Sequence, residues 1–212
     1  MSSEFGYIPE SPEQSFGNNK GIFTPTDIYD LTRADKYTNY GQLELIETVN
    51  ITSSTASVEF TTLGSYNVHF LTINDCKLDV DARYLVAQLS NDGGSSYISS
   101  GYQYAYQLGY PSSFSELNST SIGNIPHLTS NGNNTNEVGN GYVYFYNLLD
   151  STKYSFTTSH SIGTDNATNA RFYFGSAVKP TAETHNAIKL QMSSGTGITK
   201  ANFSLYGIKE YS

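Results

Sequence analysis

From Gln42 onward the chain alternates hydrophobic and polar residues with a period of two. The alternation is clearest at Val68/Phe70/Thr72, at Ile188/Leu190/Met192, and in residues 142–147. There Val143, Phe145 and Asn147 fall on one side of a strand and Tyr142, Tyr144 and Tyr146 on the other. Side chains of an extended chain point to opposite faces in turn, so this period marks half-buried strands. The pattern predicts strands over residues 42–49, 57–63, 68–73, 84–89, 97–106, 141–149, 154–158, 171–177, 187–192 and 203–208. Clusters of Gly, Asn, Asp and Ser separate them. About ten short strands with turn signals and no intervening helices predict an all-β fold, an antiparallel β-sandwich of jelly-roll type.

The pattern upstream is different. Residues 1–22 carry no periodicity, only Pro, Glu, Ser, Gly and Asn with scattered Phe5, Tyr7, Ile8, Phe16 and Ile22. Such a stretch builds no core of its own and reads as an extended N-terminal arm. Its apolar residues, with Phe23 just beyond, are candidate anchors in a partner's pockets. Residues 23–41 read as a short helix and linker: Thr24 caps, Pro25 suits the first helical position, Asp27 favours the positive helix end, and Ile28 and Leu31 form one apolar stripe. Residues 42–212 form the sandwich domain. Within it, residues 110–140 read as a long irregular connection, a feature that often carries function.

Composition sharpens this picture. Charged residues are 14% of the 212 and aromatic residues also 14%, with 18 Tyr and no Trp. Few charges and many rings oppose disorder and favour strands. Net charge is −8, and Arg33, Arg83 and Arg171 are far apart, so the basic cluster that nucleic-acid binding requires is missing. The N-terminus has no basic, apolar leader and no apolar run approaches a membrane span, which predicts synthesis in a cytoplasm and no membrane insertion. The single Cys76 allows no internal disulfide.

Four constellations bear on chemistry. Residues 84–106 read as a hairpin closed by Asn91-Asp92-Gly93-Gly94, with glycines where a turn needs positive φ. Ser90, Asp92, Gly94 and Tyr97 in this turn resemble the Asp-box, Ser-x-Asp-x-Gly-x-x-aromatic, with Tyr in place of the usual Trp. The resemblance implies a structural role, the carboxylate bonding turn backbone, and one copy among three dispersed arginines argues against a sialidase. Asp75, Asp79 and Asp81 are dense enough to suggest Ca²⁺, but lack the EF-hand spacing and its terminal Glu, so a solvated turn is the simpler reading. His69, His127, His160 and His185 are isolated, with no metal-ligand spacing, and no nucleophile elbow or phosphate loop is present. No cofactor and no catalytic residue is therefore expected. Tyr102, Tyr104, Tyr106 and Tyr110 cluster at the hairpin exit and are candidate receptor or partner contacts, because tyrosine supplies contact area at low entropic cost.

The layout also resembles virion proteins of tailed bacteriophages. The resemblance is carried by Asn19-Lys20-Gly21-Ile22-Phe23-Thr24-Pro25-Thr26-Asp27-Ile28-Tyr29, by residues 60–68, 89–97 and 102–105, and by Ala201-Asn202-Phe203-Ser204-Leu205-Tyr206-Gly207-Ile208-Lys209. It implies a non-enzymatic virion subunit, in the tail or a fibre, held by its N-terminal arm and partnered by other virion proteins and copies of itself. A capsid decoration or head-fibre protein is the alternative placement. A glycan-binding module for host recognition is an alternative of a different class.

Overall fold

The computed structural model describes residues 14–15, 18–19, 24–34, 42–127, 131–195 and 197–210. It divides into two compact units, residues 1–42 and 43–212. The anchor candidates Phe5, Tyr7, Ile8, Phe16, Ile22 and Phe23 lie outside the described residues.

In the first unit, two-residue strands β1 (Gln14–Ser15) and β2 (Asn18–Asn19) pair antiparallel inside the stretch expected to be plain arm. Helix α1 (Pro25–Arg33) begins where the capping residues require. The Thr24 hydroxyl accepts the Asp27 N–H at 3.2 Å, and the Asp27 carboxylate accepts the Thr24 N–H at 2.8 Å. Two otherwise orphaned donors are satisfied reciprocally. The helix stops at Arg33 and buries none of its residues completely. Among the described residues, no helix is long and apolar enough to cross a membrane.

The second unit is an antiparallel β-sandwich of two unequal sheets. Its strands are β3 (Leu43–Ile51), β4 (Ser57–Phe60), β5 (Val68–Leu78), β6 (Leu85–Ser90), β7 (Tyr102–Tyr110), β8 (Ser113–Ile122), β9 (Ile125–Pro126), β10 (Gly139–Tyr146), β11 (Ser155–Thr164), β12 (Ala170–Lys179), β13 (Ala187–Met192) and β14 (Ile198–Ile208). Eight pair in the order β3-β14-β5-β10-β11-β12-β7-β8, and four in the order β4-β13-β6-β9. The expected long loop after Tyr110 instead contains β8 and β9. β8 is an edge strand whose residues are mostly exposed, so no apolar alternation announces it. β9 contains Pro126, which an edge tolerates because one side needs no ladder donor.

The predicted 84–106 hairpin is also corrected. β6 belongs to the four-stranded sheet and β7 to the eight-stranded sheet, so the turn between them is a sheet-to-sheet crossover. β6 is buried at all six positions: Leu85, Ala87 and Leu89 join the core, while Gln88 donates to the Gly123 carbonyl at 2.8 Å.

Between the sheets, Phe60, Leu71, Ile73, Phe145, Leu190, Phe203 and Leu205 form a continuous apolar core. Toward β11 its character changes. The inward positions of β11 are Ser155, Thr157, Ser159 and Ser161, all buried. These small side chains leave room for large rings from β7 and β12, among them Tyr102, Tyr106 and Tyr173. Gly175, which pairs with Tyr106, completes that arrangement: a Cβ there would lie 2.3 Å from the Ala105 carbonyl oxygen and 2.6 Å from the Tyr106 ring.

Candidate functional site: an aromatic face with a trough

The outer face of the eight-stranded sheet follows from strand parity. With Val143 and Phe145 buried in the core, Tyr142, Tyr144 and Tyr146 must point the other way. Ladder register then places Phe70 beside Tyr144, His160 beside Tyr142, and Phe174 beside His160. Ring contacts run without a break across the sheet. Tyr206 meets Phe70 at 6.2 Å between centroids, Phe70 meets Tyr142 at 6.0 Å, and Tyr142 meets His160 at 5.9 Å. His160 continues to Phe174 at 6.5 Å, Phe174 to Phe172 at 6.0 Å, and Phe172 to Phe114 at 6.0 Å. Several rings stay well exposed, with Phe114 at 68% and Phe174 at 46%. Soluble proteins seldom expose a continuous apolar patch of this extent without a use for it.

The face is not flat. Thr158, Ser176, Ala105 and Asn118 are successive neighbours on β11, β12, β7 and β8. This row of small side chains lies between two taller ones. On one side are Tyr142, His160, Phe174, Gln107 and Glu116, and on the other Tyr146, Phe156, Val178 and Gln103. The result is a trough perpendicular to the strands. It contains a hollow of about 890 Å³ between the β10 tyrosines and Phe174, adjoined by hollows of about 390 Å³ and 360 Å³ over Ala105. Among the described residues that register places outward on β10, β11, β12, β7 and β8, Glu116 is the one Asp, Glu, Lys or Arg.

The tyrosines proposed from sequence as contacts lie elsewhere. Tyr102, Tyr104, Tyr106 and Tyr110 share one face of β7 with Leu108, and that face is the inner one. Tyr102 is fully buried: its hydroxyl accepts the Leu89 N–H at 2.8 Å and donates to the Ile98 carbonyl at 3.2 Å. Burial pushes its pKa up to about 12. Tyr106 is buried against Tyr173. Tyr104 is half-buried beside Tyr106, and Tyr110 is half-buried beneath the Arg171 guanidinium, 4.8 Å from the ring centroid. They are packing residues, because a wide sheet needs large side chains to reach a smaller opposing one.

The turn residues take a structural role. The Asp92 carboxylate accepts the Ser96 hydroxyl at 2.6 Å, the Ser96 N–H at 2.9 Å and the Ser90 hydroxyl at 2.7 Å. These bonds, those from Ser96 foremost, hold its pKa down at about 2. The Ser90 oxygen accepts the Gly94 N–H at 2.9 Å, and Gly93 and Gly94 have φ of 76° and 92°. The Tyr97 ring lies under the Lys189 ammonium at 4.4 Å.

The three aspartates do not converge. Asp75 lies within β5, which runs past the predicted end at Ile73, and its carboxylate is 3.2 Å from the Lys200 ammonium. Asp81 accepts the Asn133 N–H at 2.7 Å, while the Asn133 side chain donates to the Asp79 backbone carbonyl at 3.0 Å. These bonds tie two loops together. Among the described residues, no three His, Cys, Asp or Glu side chains are grouped to hold a metal.

One arrangement was not foreseen because Ser is too abundant to single out. Ser155 Oγ lies 2.7 Å from His185 Nδ1, and Glu183 Oε1 lies 3.3 Å from His185 Nε2. The order resembles a hydroxyl–imidazole–carboxylate relay. Ser155 is 2% exposed and His185 is fully buried, so the hydroxyl has no open side for a substrate. Burial lowers the His185 pKa, and the imidazole ties residues 183–185 to the start of β11.

No protein-family model, curated protein or solved structure matches this chain.

Proposed function

We propose that this chain is a non-enzymatic structural component of a tailed-bacteriophage particle, a tail or fibre subunit held by residues 1–22. The proposal starts from the virion-protein resemblance of residues 19–29, 60–68, 89–97, 102–105 and 201–209. The observation that carries it is the aromatic outer face of the larger sheet, a surface suited to contact, on which Glu116 is the one carboxylate among the described outward positions from β10 to β8. The closed Ser155–His185–Glu183 arrangement supports the same reading.

The test is made on particles. Deleting residues 1–22 should abolish incorporation while the purified remainder still melts cooperatively. Normal copy number without those residues overturns the anchoring role. Immunogold labelling on the head would replace the tail assignment with a decoration protein, and absence from purified particles would overturn the virion reading itself.

A further inference from the structure

We propose that the trough across β11, β12, β7 and β8, bounded at its β10 end by Tyr144, binds an extended, uncharged oligosaccharide laid perpendicular to the strands. This inference is independent of where the chain resides.

The walls supply the first argument. Tyr142, Phe156 and Phe174 have their bodies fixed in the sheet and between 40% and 46% of their surface exposed. Rings held this way offer flat apolar platforms at little entropic cost, matching the C–H faces of pyranose rings. The floor and upper walls supply uncharged hydrogen-bonding groups: the hydroxyls of Thr158 and Ser176, the amides of Gln107 and Asn118, and the His160 imidazole. A few polar groups among aromatic walls is the chemistry of a small-ligand cleft.

Charge complementarity selects the ligand class. The chain carries net charge −8, yet Glu116 is the one Asp, Glu, Lys or Arg among the described outward positions of β10, β11, β12, β7 and β8. Along these five strands, the described outward positions offer no Lys or Arg for a phosphate backbone or an anionic glycan to pair with. A neutral ligand pays no such desolvation penalty.

Shape excludes two other occupants. Symmetric pairing with a second copy would set trough against trough, and a concave strip is not complementary to itself. A peptide that adds to a sheet does so at an edge, because backbone groups inside the ladder are already bonded. The row of small side chains crosses three inter-strand steps, from β11 to β8, roughly 14 Å at about 4.8 Å each, which suits a few sugar rings in sequence.

The test uses the full-length protein and a panel of neutral gluco-, galacto- and manno-oligosaccharides of tetra- to hexasaccharide length, with sulfated and sialylated counterparts. Calorimetry should show saturable binding to at least one neutral member. Phe174→Ala should weaken it about tenfold or more, by loss of a stacking platform worth at least about 1.4 kcal/mol. Ser176→Trp, which fills the trough without removing a wall ring, should abolish it. Tyr29→Ala, on an exposed ring of α1, should leave it unchanged. Circular-dichroism melts check that each variant is folded. The proposal is overturned if no neutral oligosaccharide binds, if both trough variants bind normally, or if acidic members are preferred. It is also overturned if sedimentation shows that the variants break a self-associated species while no glycan signal appears.

Discussion

Tyr106 lies almost flat on Tyr173 inside the sandwich, with ring centroids 4.3 Å apart and an interplanar angle of 18°. Both are buried, one on β7 and the other on the neighbouring β12, over the small residues of β11. The stack replaces aliphatic packing at this end of the core. Tyr106→Ala should therefore destabilise the sandwich by about 3–5 kcal/mol, the range for emptying a buried aromatic site. Tyr106→Phe keeps the stack and should cost less than about 1.5 kcal/mol. Urea denaturation of the two variants checks this, and equal losses would mean that the ring stack is not what matters.

Acid should weaken the fold through its buried histidines. His127 is fully buried, edge-on to Phe145 at 5.6 Å, and burial pushes its pKa down to about 3 from an ordinary 6.5. Below pH 6.5 the unfolded chain takes up a proton that the folded chain refuses. Stability is thus complete above the unfolded value and falls as pH drops toward about 3, by up to about 1.4 kcal/mol per pH unit for this one group. His69 and His185, also lowered by burial, act in the same direction. His127→Leu should show a shallower decline of Tm between about pH 6.5 and 4. Parallel curves for the variant and the parent would remove His127 from the account.

A second pH window belongs to the crossover turn. The Asp92 pKa is lowered from 3.8 to about 2, first by the Ser96 hydroxyl and then by the Ser96 N–H and the Ser90 hydroxyl. Its contribution is present above the unfolded value and is lost as pH falls through about 2. Asp92→Asn should lower Tm near neutrality and narrow the gap to the parent as pH drops from 4 toward 2. The glycines that surround it, at positive φ, should make Gly94→Val more damaging than Asn91→Ala.

Cys76 should be chemically silent in the native protein. It is fully buried in the core, and burial pushes its thiol pKa up to about 12. Nucleophilic attack needs the thiolate. A thiol reagent at about pH 8 should label it only after denaturation, with a rate that follows global unfolding. Rapid labelling of the folded protein would point to local opening of β5.

How far the sequence reaches can be read from particular residues. Period-two alternation made the antiparallel sandwich legible, and in β10 it separated Val143 and Phe145 from Tyr142, Tyr144 and Tyr146. The capping residues Thr24, Pro25 and Asp27 announced the start of α1. The Ser90–Asp92 turn was legible because the bonds of the Asp92 carboxylate and the Ser90 hydroxyl are local, reaching no further than four residues. β8 was not legible, since an exposed edge strand carries no burial pattern. Ser155 and His185 were not either, because a contact thirty residues apart leaves no mark in spacing.

The β7 tyrosines show where the boundary falls. The sequence by itself determined that Tyr102, Tyr104, Tyr106 and Tyr110 share one face, because alternation is a property of the extended backbone. It did not determine which face is wet. Tyrosine fits either side, with an apolar ring for a core and a hydroxyl for water. Only the tertiary structure decided that these four point inward and that the rings of β10 and β12 point outward. It did so by where the smaller sheet lies, and by joining strands distant in sequence into one ladder with a trough across it.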